Sequence, residues 1–140
     1  MIHPFVSHLL ELCPGAARAW QEHLASWGEN PDRGTYNDIA VFAHHVVDAS
    51  GRRDFACTDR VFAFIEHALA APTEEVQGLL VWGLLEDIQT ISSHTSGLQQ
   101  TLSQRLGPKS LDAWRRIAQA WKGSRSLADV LRAQARNRAP

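Results

Sequence analysis

An all-α fold is expected from three features of this sequence. Apolar residues recur at helical spacing along its length, sustained apolar/polar alternation is missing, and no Asn-Gly or Asp-Gly hairpin dipeptide occurs. About seven to eight helices are expected, joined by short loops and therefore antiparallel to their neighbours. Residues 1–140 fit one domain, with the chain fraying after about 137. Two architectures satisfy this pattern: a HEAT-like α-solenoid and a compact orthogonal bundle.

The first helix covers about 4–12 and stops at Pro14-Gly15. The second, about 15–27, carries the stripe Ala16, Trp20, Leu24 and Trp27 and ends at Gly28. A turn-rich loop, Glu29 to Gly34, follows. The third, about 35–49, divides at 100° per residue into an apolar face (Tyr36, Ile39, Phe42, Ala43, Val46, Val47) and a second face of Asn37, Asp38, Val41, His44, His45 and Asp48. The fourth, about 58–71, takes Thr58 as its N-cap. Thr73, then Glu74 and Glu75, opens the fifth, about 74–94. The pair 58–71 and 74–94 looks like one solenoid unit. The fifth helix is apolar on nearly every side from Leu79 to Leu85, which makes it the expected centre of the fold. Gly78 and Gly83 are expected where a neighbouring helix comes close. Shorter helices follow at about 97–106 and 109–122, the latter with Leu111, Trp114, Ala118 and Trp121 as its stripe. A last helix, about 126–137, carries Leu127, Val130 and Leu131 and runs into an Arg-rich tail.

The composition, 44% apolar and 21% charged, is that of an ordinary globular domain. No apolar run approaches the roughly 18 residues of a membrane span. The first residues, Met1 to Phe5, lack signal-peptide features. Cys13 and Cys57 belong to no CxxC motif and read as buried free thiols. These features together predict a cytoplasmic protein. The net charge of −1 hides a split. Residues 1–104 hold five Arg against thirteen Asp or Glu, and residues 105–140 hold nine Lys or Arg against two Asp. That asymmetry marks either an interaction surface or two parts of the chain that attract each other.

Seven histidines raise the question of a metal. His44 and His45 are adjacent and diverge by about 100° on a helix, and no HExxH or His pair at i, i+4 occurs. A set built from His44, Asp48 and a distant His94 or Glu86 is weaker than a simple His44–Asp48 surface pair. Glu86 and Asp87, adjacent on one helix, do not face each other as a catalytic pair would. No catalytic residue, cofactor or metal is therefore expected. Gly107-Pro108-Lys109-Ser110 is first a helix start and only secondarily an anion site. Arg125, Arg132, Arg136 and Arg138 lack interleaved exposed aromatics, so nucleic acid is not expected as a partner. The five tryptophans mostly sit at stripe spacing and read as core.

Four blocks stand in order along the chain: Cys13-Pro14 with Trp20 to Gly28, Tyr36 to His45, Gly83 to Gln89, and Leu106 to Ser110 with Trp114. Together, over about residues 4–122, they resemble a family of small uncharacterised bacterial α-helical proteins. The resemblance implies the all-α fold and no enzyme activity. Small proteins of this kind are often encoded beside secreted antibacterial toxins, which implies an immunity protein that binds and occludes a cognate toxin. The acidic body would steer onto a basic toxin. Asn37, Asp38, His44, His45, Asp48, Glu86 and Asp87 are the expected partner-binding residues, exposed enough that Asp38→Lys with Asp48→Lys should leave the fold intact. A generic HEAT-like scaffold and a metal- or carboxylate-dependent hydrolase are the alternatives.

Overall fold

Every regular element among the described residues of the computed structural model, 2–30 and 32–122, is helical. The expected last helix and the Arg-rich tail lie outside the described residues. Helix α1 is Pro4–Leu12, followed by a 3₁₀ turn at Pro14–Ala16 and by α2, Ala17–Trp27. Helix α3 is Gly34–Gly51 and α4 is Ala56–Ala68. A π-helix, Val76–Leu85, continues directly into α5, Glu86–Ser92. Helix α6 is Leu98–Ser103, and α7 spans 108–122.

The hub is α3 rather than the fifth expected helix. Its 18 residues pack against α1, the 3₁₀ turn, α2, α4, the π-helix, α5 and α6. Ile39, Phe42, Ala43 and Val46 are fully buried along that seam, facing Leu80, Leu84, Leu85 and Ile88 in one continuous core. The run 79–85 is nevertheless as apolar as expected, and all of it except Trp82 is buried. What its composition conceals is the backbone. In a segment with apolar residues on every side, side-chain periodicity cannot distinguish 3.6 residues per turn from the wider turn of i→i+5 bonding. Gly78 and Gly83, five apart, stack in that wider turn, and a Cβ on Gly83 would lie 3.4 Å from the Gly78 carbonyl oxygen. The neighbour they admit is Tyr36 of α3. Its ring would be 3.3 Å from a Gly83 Cβ and its hydroxyl 3.0 Å from a Gly78 Cβ.

Helix ends follow local chemistry, with one correction. Thr73 Oγ1 accepts from the Val76 N–H at 3.1 Å, the expected cap, with Glu74 and Glu75 in the turn between. Thr58 is not a cap. Helix α4 starts at Ala56, whose N–H donates to Asp54 Oδ1 at 3.2 Å. The buried Thr58 hydroxyl lies 2.6 Å from Ser50 Oγ of α3, an interhelical partner that leaves no hydroxyl idle in the core.

The two cysteines are buried, as expected, but they are not thiols. Cys13 ends α1 and Cys57 lies in the first turn of α4; the packing of α1 on α4 brings their Cα atoms to 5.4 Å, and they form a disulfide. Arg60 Nε, one turn further along α4, donates to Leu12 O at 2.8 Å and seals the same junction. Residues 44 positions apart carry no local signal of such a pairing.

Among the described residues, two basic groups of the C-terminal part, Arg105 and Lys109, pair with acids of the preceding part. Arg105 donates Nε to Asp59 Oδ1 and Nη2 to Asp59 Oδ2, both at 2.8 Å, with its guanidinium 4.0 Å from the centre of the Phe55 ring. The anion site considered at residues 107–110 is occupied by the chain's own carboxylate. Glu66 of α4 accepts from Ser110 N–H and Ser110 Oγ at Oε1, each 2.9 Å, and from Lys109 N–H at Oε2, 3.2 Å. A side chain on another helix thus caps α7. Burial pushes the Glu66 carboxyl up, but the Ser110 and Lys109 hydrogen bonds and the Lys109 charge outweigh it and hold it below the ordinary glutamate value. Its stabilising contribution is therefore complete above the unfolded value near 4.5 and fades as pH falls through that range. Acid titration of thermal stability should show a flatter profile in Glu66→Gln than in the parent. Gly107→Ala should destabilise by about 1–3 kcal/mol at neutral pH, because its Cβ would sit 2.5 Å from Glu66 Oε1.

Candidate protein-binding face

The seven residues expected to form one face separate into three places. Along α3, Tyr36, Ala40 and His44 advance by 40° per step and run up the edge next to the π-helix and α5, whereas Asp38 and His45 lie on the opposite edge, toward the N-terminal helices. That divergence decides each residue's environment.

Asp38 belongs to the interior. It is 4% exposed. His23 Nε2 of α2 lies 2.8 Å from its Oδ1, and Arg33 Nε lies 3.1 Å from the same oxygen. The His23 ring stacks on Trp20, centroids 5.5 Å apart, which in turn meets Phe42. Asp38 thus locks α2 to α3 from the wrong side of the expected interface. A polar cavity of about 290 Å³, lined by Asn30, Arg33 and Thr35, opens beside it. Asn37 is exposed, and its amide donates to the Arg33 carbonyl at 2.7 Å, closing the first turn of α3.

His45 is half-buried against the 3₁₀ turn, where a Cβ on Gly15 would meet its Cε1 at 3.1 Å. Burial, then Arg52, lowers its pKa, with Asp48 and Asp54 opposing. The exposed Asp48 therefore acts on His45, where a His44–Asp48 contact was expected.

His44, Glu86 and Asp87 do come together, because α3 and α5 pack side by side. His44 is exposed, and the two acids are half-buried. Burial raises the Asp87 carboxyl above its ordinary range, Glu86 adds to the rise, and His44 opposes it. The sign is the reverse of Glu66. The ionised Asp87 disfavours the fold, so this penalty is absent well below the carboxylate range and complete once pH exceeds the raised value. Asp87→Asn should therefore melt higher than the parent at neutral pH, and the difference should vanish in acid.

Beside these acids stand three aromatics that sequence spacing assigned to the core. Tyr36, Trp82 and Trp121 are 56%, 42% and 47% exposed. Trp82 and Trp121 line one small cleft with Glu86 and Ala120. Trp20 and Trp114 are buried as expected, and Trp27 is half-buried. The signal for the exposed pair was obscured twice. Trp82 sits in a run where every neighbour is apolar, and Trp121 continues the α7 stripe past the point where the other described elements cover it. Tyr36 lies against Gly78 and Gly83 and is otherwise open to solvent.

Among the described residues no three His, Cys, Asp or Glu side chains gather as a possible metal set, and no helix is long and apolar enough to cross a membrane. A family model described as a domain of unknown function, DUF7674, matches residues 6–122. No curated protein and no solved structure matches the chain.

Proposed function

We propose that this chain, which belongs to the DUF7674 family, is a binding protein that neutralises a basic protein partner by covering it, in the manner of an immunity protein against a cognate antibacterial toxin. The observation that carries this reading is the exposed aromatic–acidic face: Trp82 and Trp121 flanking Glu86, with Asp87, His44 and Tyr36 alongside. Large exposed aromatics anchor protein interfaces, and tryptophan and tyrosine are over-represented where binding energy concentrates. The acids beside them select a positively charged partner. Asp87 supports the same sign, since a carboxylate that is unfavourable in the free protein gains most from a cationic group docked against it.

The partner-binding set shrinks accordingly to His44, Glu86 and Asp87 among the residues expected from sequence, joined by Tyr36, Trp82 and Trp121. Asn37 and Asp48 stay exposed at the margins. A HEAT-like scaffold is less well supported, because α3 meets elements from α1 through to α6, and solenoid stacking confines contacts to neighbouring repeats. A cytoplasmic location loses its residue-level argument, since the Cys13–Cys57 bond is at home in an oxidising compartment.

Co-expression with the reading frame encoded beside it tests the proposal. The parent should restore growth when that neighbour is toxic, and the two should co-purify. Trp82→Ala with Glu86→Lys should abolish both effects while leaving the helical spectrum unchanged, because Trp82 is exposed and Glu86 only half-buried on the rim of the cleft. Full protection by that variant would remove this face from the interface. A harmless neighbour that never co-purifies would remove the toxin.

A further inference from the structure

One internal contact of this chain shows what its aromatic–acidic cleft is shaped to hold. Phe55 and Asp59 stand four residues apart at the start of α4. Arg105 places its guanidinium 4.0 Å from the centre of the Phe55 ring and donates Nε and Nη2 to the two Asp59 oxygens, each at 2.8 Å. The planar fork thus meets an aromatic ring with its face and a carboxylate with its edge.

Trp82 and Glu86 repeat that spacing, aromatic at i and carboxylate at i+4, where the π-helix passes into α5. They form one wall of the small cleft, about 180 Å³, and Trp121 of α7 forms the other, with only the methyl group of Ala120 beside it. Its volume equals that of about six waters, the scale of one side chain. The described lining holds no base. Among the described residues Glu86 has no ion pair and no side-chain hydrogen bond, and the charge that acts on it, that of Asp87, repels it. Asp59 and Glu66, by contrast, each have their donors within the chain. Trp82 and Glu86 therefore stand as Phe55 and Asp59 would without Arg105, with a second indole opposite.

Resting on the reading of this face as a protein-binding surface, we propose that the cleft receives one arginine side chain of the partner. Its guanidinium stacks on Trp82 and forks onto the Glu86 carboxylate, and Trp121 covers its other face. Lysine suits the cleft less well, because its ammonium is a compact, strongly hydrated point charge without a planar face or a fork. A quaternary ammonium meets the rings but has no N–H to offer Glu86.

Nuclear magnetic resonance of the full chain tests this without any toxin. The probes are the peptide acetyl-Gly-Arg-Gly-amide and its lysine, trimethyl-lysine and citrulline counterparts. The readout is the pair of indole N–H signals of Trp82 and Trp121, assigned by their loss in Trp82→Phe and Trp121→Phe. The arginine peptide should shift both signals saturably, with a Kd in the millimolar range. The lysine peptide should bind at least ~3-fold more weakly, and the neutral citrulline peptide at least ~10-fold more weakly. Glu86→Gln, nearly the same in shape, should weaken the arginine peptide at least ~10-fold with an unchanged helical spectrum. Absence of a shift with the arginine peptide would overturn the proposal, as would equal binding of the citrulline peptide or tighter binding of the trimethyl-lysine peptide. Signals that move on dilution of the protein alone, with a dimer in sedimentation, would assign the cleft to a second copy and overturn it too. None of these outcomes depends on whether the neighbouring reading frame is toxic, so failure here is distinguishable from failure of the immunity reading.

Discussion

Replacing Asp38 by alanine should destabilise the chain by about 3–5 kcal/mol, a large fraction of what holds a domain of this size together. The carboxylate is almost completely enclosed, and one of its oxygens is approached by both His23 at 2.8 Å and Arg33 at 3.1 Å. Removing it leaves the Arg33 guanidinium without its counter-charge and the His23 imidazole without its hydrogen-bond partner in a junction of low exposure, and that desolvation is the main part of the loss. Asp38→Lys should be worse, since it adds a second cationic side chain beside Arg33. Asp48→Lys, on the exposed side of the same helix, should stay within about 0.5 kcal/mol. Urea melts of the three variants check the contrast. A cycle through His23→Ala and Asp38→Ala should show coupling of about 0.5–3 kcal/mol, as expected for contacting residues. Asp38→Ala melting with the parent would mean that the network contributes no net stability.

Asp38 also shows where the sequence stops being readable. Periodicity placed it on the less apolar, exposed side of α3, about 100° from the centre of the apolar stripe, whereas it is buried. It could not show that α2 folds back over that edge, because the partner, His23, is fifteen residues away across a loop. The same limit explains the other differences. The helices, their stops at Pro14 and Gly28, and the Thr73 cap were legible because each depends on residues within one turn of itself. Gly78 and Gly83 were legible as a place of close approach, but not Tyr36 as the side chain that fills it. Trp82 and Trp121 show the reverse error: helical spacing identifies a stripe, whereas exposure depends on whether another element lies over it. Of the candidate site, the acids Glu86 and Asp87 and their neighbour His44 could be read in advance because α3 and α5 pack along their length. The aromatics that give the face its binding character could not.

Breaking the Cys13–Cys57 bond should lower stability by about 2–4 kcal/mol, which corresponds to a fall of roughly 10 °C in Tm for a chain of this length. The bond links positions 44 residues apart, and the loop it closes contains α2 and the whole of α3. Constraining that loop restricts the unfolded ensemble around the helix on which nearly every other element packs, and the entropic gain grows slowly with loop length. Both sulfurs are buried where α1 meets α4, so Cys13→Ala with Cys57→Ala leaves small apolar side chains and no unpaired polar group. The loss in this variant therefore reports the cross-link more than the packing. Melting curves with and without a thiol reductant provide the control. The reduced parent should fall to near the melting temperature of the double variant, and the variant itself should be indifferent to reductant. Alkylation of the denatured parent without reductant should modify neither cysteine. Modification of both cysteines under those conditions, with a melting temperature that reductant does not move, would return the pair to the free thiols expected from sequence and restore the argument for a reducing compartment.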